Sequence, residues 1–210
     1  MVRKYGERTA PVSFNEELKN LKDEQLNPKL WFTKTAAILS KTTLRRPLVV
    51  GVFQDQSIEE INAAVDDCGL DVVQLHGEES VEHIAGIRAP CIKVVHVPRE
   101  VSEEKALLAN TRERIALFSG HAIAIIMDTS VRGDRSGGTG MTFDWNLAEN
   151  LDIPVIMAGG LTPLNVADAL RVRGVVGLDV SSGVEVPGQP GMKDHALVKS
   201  FVLKRSVAQE

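Results

Sequence analysis

From Pro47 onward the chain alternates short apolar runs with longer amphipathic stretches. The runs are Leu48–Phe53, Val72–His76, Cys91–Val97, Ala124–Asp128, Val155–Ala158 and Val175–Val180. Each is nearly continuous in apolar residues, the pattern of a strand covered on both faces, as in parallel sheets. Between them the pattern predicts helices. Ser57 opens one that runs through Cys68, with Glu60 completing a capping box and Gly69 as the C-terminal cap. Thr162-Pro163-Leu164-Asn165 opens Val166–Arg171, which Gly174 closes, and further helices are expected over Glu78–Ile87, Ser102–Phe118 and His195–Lys204. The first 46 residues are polar and lysine-rich without a full strand. Ser13–Gln25 and Asn27–Lys41 read as helices, with Pro28 suited to a helix start. Trp31, Phe32, Ala36, Ile38 and Leu39 are placed to cover neighbouring strands.

Six βα units in series make a barrel or an open doubly wound sheet. Where the glycines fall favours the barrel. Met127-Asp128 is followed by Gly137-Gly138-Thr139-Gly140, Val155–Ala158 by Gly159-Gly160, and Val180 by Ser181-Ser182-Gly183. A phosphate commonly sits between the last two βα loops of a (β/α)8 barrel, whereas a doubly wound fold carries its glycine loop after the first strand. Small residues past a strand end leave backbone N–H groups open to an oxyanion. Gly159, Gly160, Ser182 and Gly183 are therefore the expected phosphate cradle. Either pair alone would be read as a tight turn.

The 210 residues are expected to form one domain, 1–210, close to the lower limit for a complete barrel. A formal net charge of −4 gives no electrostatic reason to expect nucleic acid or an acidic membrane as partner. No apolar run reaches the length of a membrane span, the N-terminus lacks a signal-peptide core, and two cysteines are too few for a disulfide framework. The expectation is a cytoplasmic protein whose Cys68 and Cys91 are reduced and largely buried. His83, His96, His121 and His195 show no paired metal-ligand spacing, so metal binding is not expected.

Several segments, in order and spacing, resemble the phosphoribosylanthranilate isomerase family of tryptophan biosynthesis. They are Val49–Phe53, Val72–Gly77, Ile126–Asp128, Gly137–Gly140, Phe143-Asp144-Trp145, Ala158–Leu161 and Asp179–Glu185. The segment around Trp31 and Phe32 is similar to fungal members. The resemblance implies a (β/α)8 barrel and an Amadori rearrangement of N-(5′-phosphoribosyl)anthranilate without metal or redox cofactor. It also implies that the chain lacks the first βα unit, because the family's opening Lys-x-Cys-Gly motif, whose cysteine is the catalytic base, does not occur here. The fold expected is thus an N-terminally truncated barrel of about six βα units. As fungal relatives fuse this domain to others, membership of a longer tryptophan-pathway polypeptide is a further expectation.

The reaction needs an acid at the furanose ring oxygen and a base at C2′, each worth ~10²–10⁴-fold when positioned. By position alone, Asp128 at the end of its strand is equally a general acid or a structural cap; the resemblance assigns it the acid. Cys91 opens its strand and Cys68 ends a helix, so both read as packing cysteines. The chain then has an acid without its base, and the isolated chain is expected to show no measurable turnover. The resemblance gives Arg8 to the anthranilate carboxylate, with a solvated arginine as the alternative. The Gly-, Ser- and Thr-rich stretch holding Gly138, Thr139 and Gly140 reads as a loop able to close beside Asp128, or equally as a plain flexible connection. Gln74 and His76 end their strand on the active-site face as substrate neighbours, although a lone histidine there is more often structural. Asp144-Trp145 is expected to cap the following helix, and Glu185 to make a polar contact near the phosphate loop. A catalytically inactive sugar-phosphate-binding fragment is the alternative. Indole-glycerol-phosphate synthase is disfavoured because its chemistry calls for a catalytic lysine at a strand end, and Lys93 lies mid-strand.

Overall fold

The computed structural model describes residues 12–22, 24–98, 103–130 and 144–207. Two helices, α1 (Val12–Lys22) and α2 (Pro28–Thr43), precede the first strand. Then come β1 (Val50–Phe53), α3 (Ile58–Cys68), β2 (Val72–Leu75), α4 (Val81–Ala85), β3 (Cys91–Pro98), α5 (Glu104–Leu117) and β4 (Ala122–Ser130). The chain continues with α6 (Asn146–Asn150), β5 (Val155–Met157), α7 (Val166–Arg171), β6 (Val175–Leu178), a 3-10 turn (Ser182–Val184) and α8 (His195–Val207). The strands follow one another in sheet order β1 to β6, and β1/β2, β2/β3, β4/β5 and β5/β6 pair in parallel. This is the βα alternation of a (β/α) barrel, with six strands described.

Contacts divide the chain into two units, and β3 and β4 contribute residues to both. The first comprises residues 1–94 and 114–125, the second 95–113 and 126–210. In the first, Phe53, Ile61, Val73, Leu75, Ile84 and Cys91 make one apolar cluster. The Trp31 indole N–H donates to the Ala122 carbonyl at 2.7 Å, which ties α2 to the start of β4. Asn27 caps α2 by accepting from the Leu30 amide, just ahead of Pro28. The capping box at Ser57 and Glu60 is formed, and Gly69 closes α3 in the left-handed conformation at φ 63°.

Three sequence expectations are corrected. β2 is buried throughout, but β1 is not: Val50 and Val52 are 41% and 60% exposed. The run reads as a doubly covered strand, yet Val50 and Val52, two apart and so on one face of β1, are left exposed among the described residues. Val176 of β6, at the other end of the strand order from β1, is exposed as well. Cys91 is buried as expected, whereas Cys68, in the last turn of α3, is exposed. Finally, α7 ends at Arg171 with Val172 as its C-terminal cap; Gly174, at φ 90°, instead turns the chain into β6.

Candidate functional site

The end of β4 and the loops after β5 and β6 meet within the second unit. Asp128, near the end of β4, is 5% exposed, and its Oδ1 accepts the Thr129 amide at 2.8 Å, which orients the carboxyl. The loop after β5 lies against it. Gly159 has φ 79°, where side chains are strained, and a β-carbon there would sit 2.7 Å from Asp128 Oδ1. Gly160 follows at φ 64°. The loop after β6 backs onto the same segment, because a β-carbon at Gly183 would fall 1.8 Å from the Leu161 carbonyl oxygen. Two strand-end hydrogen bonds hold this arrangement, Ala158 to the Met127 carbonyl and Asp179 to the Met157 carbonyl, both 2.8 Å.

Asp128, Gly159, Gly160, Ser182 and Gly183 are thereby gathered along one continuous path of contacts. Among the described residues the amides of Gly159 and Gly160 donate to no protein acceptor. Gln74, buried on β2, and His76, whose amide donates to the Phe53 carbonyl at 2.8 Å, belong to the first unit. Arg8, Gly138, Thr139 and the loop expected to close over Asp128 lie outside the described residues.

Other site residues carried no sequence signal strong enough to single them out. Asn165 makes no side-chain cap on α7. Its Oδ1 accepts the Thr162 amide and its amide group donates to the Gly160 carbonyl at 3.0 Å, so it braces the glycine loop. Lys193 donates to the Ser181 carbonyl at 3.0 Å, the Ser181 hydroxyl at 3.1 Å and Glu185 Oε1 at 2.7 Å, straddling Ser182 and Gly183. The bond from Lys193 holds the Glu185 carboxyl below the usual range and gives Glu185 a polar contact beside the loop after β6. His96, on β3, has a ring nitrogen within 4.8 Å of an Asp128 carboxylate oxygen. Asp144 caps α6 through the Asn146 amide, while Trp145 supplies no side-chain cap bond.

In the first unit a buried ion pair holds the loops after β1 and β2. Lys93, which reads as a mid-strand lysine, donates to the Gly77 carbonyl at 2.5 Å and to Glu79 Oε2 at 2.8 Å. Glu79 Oε1 accepts the amides of Asp55 and Gly77, and Asp55 in turn accepts the Glu78 amide. Burial opposes the Glu79 charge, but the Asp55 amide and Lys93 outweigh it and keep this carboxyl below its ordinary value.

The sequence profile described as N-(5′-phosphoribosyl)anthranilate isomerase matches residues 10–204. The chain belongs to this family. It is 42% identical over 209 residues to the tryptophan biosynthesis protein TRP1 of Phytophthora nicotianae, covering 96% of this chain and 37% of that protein. It is 38% identical over 181 residues to the N-(5′-phosphoribosyl)anthranilate isomerase of Myxococcus xanthus, covering 84% and 79% of the two chains. The crystal structure of phosphoribosyl anthranilate isomerase from Thermotoga maritima superposes with a TM-score of 0.59 at 31% identity, covering 84% of this chain and 80% of that one. The isomerase-family barrel is therefore the parent fold of the six βα units. No described helix is long and apolar enough to cross a membrane.

Proposed function

We propose that this chain is one phosphoribosylanthranilate isomerase-type domain, 1–210. Its reaction is the Amadori rearrangement of N-(5′-phosphoribosyl)anthranilate to 1-(2-carboxyphenylamino)-1-deoxyribulose 5-phosphate. One observation carries this reading: a buried carboxyl, Asp128, lies against the glycine turn after β5, and that turn lies against the glycine turn after β6. The uncommitted amides of Gly159 and Gly160 suit a phosphate dianion, together with Ser182 and Gly183. Asp128 delivers its proton to the furanose ring oxygen as the C1′–O bond breaks, leaving an iminium at C1′. Loss of the C2′ proton to a base gives the enolamine, which tautomerises to the aminoketose. No metal or redox partner enters that balance. Arg8, Gln74, His76, Gly138 and Thr139 are the proposed substrate contacts outside this cluster. The relatives' names support a biosynthetic role, and the 37% coverage of the Phytophthora protein supports a place within a longer polypeptide, which we take to be cytoplasmic.

The state of Cys91 favours a second reading, substrate binding without turnover. It opens β3, at the end of the strand away from the βα loops, and burial pushes its thiol up to about 12. A thiol in that state is no base at neutral pH. Cys68 is exposed in the last turn of α3 and fits no better.

Purified chain mixed with the substrate, followed by loss of its fluorescence, separates the two. Turnover that disappears in Asp128→Asn supports the isomerase. Saturable binding of a reduced, unreactive form of the product without turnover supports the binding fragment. Neither binding nor turnover overturns both.

A further inference from the structure

The first unit contains a cavity of about 320 Å³ that the isomerase site does not use. It opens at the N-terminal ends of β3 and β4, bounded by α1 and α4, whereas the βα loops lie at the strands' C-terminal ends. Its floor is apolar and rigid: Trp31, Ile84, Cys91 and Ile123 are each less than a tenth exposed. The Trp31 indole is fixed by its bond to Ala122.

The rim has the opposite character. Lys19 and Lys22, one turn apart on α1, line it together with Arg88 and His121. Among the described residues lining the cavity none is Asp or Glu. Arg88 is held by Asp66 at 2.6 Å, and Glu82 lies near enough to His121 to feel its charge. Lys19 and Lys22 have no ion-pair partner among the described residues. Two lysines at a helix C-terminus also complement its dipole, but that leaves the recess beneath them unexplained. An apolar hollow of this size with a few convergent polar groups is the form of a small-molecule site. Cys91 adds no covalent chemistry, since burial keeps its thiol protonated at neutral pH.

We propose that this cavity binds a small organic anion with a flat apolar body, an aromatic carboxylate in class, its carboxylate at Lys19 and Lys22 and its ring over Trp31. The test uses 2-naphthoate as probe and 2-naphthalenemethanol as its uncharged counterpart. Binding is followed by calorimetry and by the two indole N–H signals of Trp31 and Trp145. The expected result is saturable one-to-one binding of 2-naphthoate that shifts Trp31 and leaves Trp145 in place. The alcohol is expected to bind at least tenfold more weakly. The exposed pair Lys19→Gln and Lys22→Gln should weaken 2-naphthoate at least tenfold while leaving the circular dichroism unchanged. Ala85→Leu, which fills the cavity from α4, should abolish binding. Absence of saturable binding, a shift at Trp145 in place of Trp31, or equal affinity in the double lysine variant would each overturn the proposal.

Discussion

Gly183 and the Leu161 carbonyl are in such close contact that a single added methyl would fall 1.8 Å from the oxygen. Neither backbone has room to give without moving its loop. Gly183→Ala is expected to push the two turns apart, costing about 1–3 kcal/mol of stability. Any phosphate affinity should fall by more than stability does. Urea denaturation with and without inorganic phosphate measures both. An unchanged phosphate effect in this variant would show that the two turns do not form the cradle.

Lys193 ties both sides of Ser182-Gly183 by one ammonium group. Its side chain is 40% exposed, so its replacement exposes no core. Lys193→Met should leave the unfolding midpoint within about 0.5 kcal/mol, as for most surface substitutions. Titration with the reduced product should nonetheless show weaker binding, and Lys193→Arg should recover part of it.

The pair Lys93 and Glu79 is buried on both sides, at 5% and 1% side-chain exposure. Removing one member strands a charge. Lys93→Met or Glu79→Gln should each cost about 3–5 kcal/mol, and the double change Lys93→Met with Glu79→Gln less than the two singles together. Chemical denaturation of the four proteins closes the cycle.

Glu79 has a folded-state value below its unfolded one. Its contribution to stability is present above the unfolded carboxylate value and is lost as pH falls through the folded one. Urea midpoints between pH 7 and pH 3 should therefore decline on the acid side. In Glu79→Gln the decline should be shallower, and a slope identical to wild type would remove Glu79 as its source.

The two thiols should separate cleanly. An aromatic disulfide reagent at neutral pH should label Cys68 at once and Cys91 only after unfolding, because one is exposed and the other is buried with its thiol pushed up to about 12. Labelling of both at equal rates in the native protein would contradict the placement of Cys91.

The βα alternation was legible because it rests on local chemistry: capping at Ser57, the glycine at 69, and apolar runs of strand length. Asp128 and the glycine turns were legible because each ends such a run. Lys93, Glu79, Asn165 and Lys193 were not, since each acts on a segment other than its own, and a sequence shows a charged residue without its partner. The exposure of Val50 and Val52 escaped notice for a related reason. A run of valines records what a strand can bury, and what covers it is decided by a different part of the chain.

The Trp31–Ala122 bond spans 91 positions. Closing a loop of that length costs about 4 kcal/mol in chain entropy before anything is gained. During synthesis α2 emerges early but finds its anchor only when β4 has been made. Synthesis must therefore pass Ala122 before this anchor can form, and any stall before that point leaves a tryptophan-bearing helix without its seat.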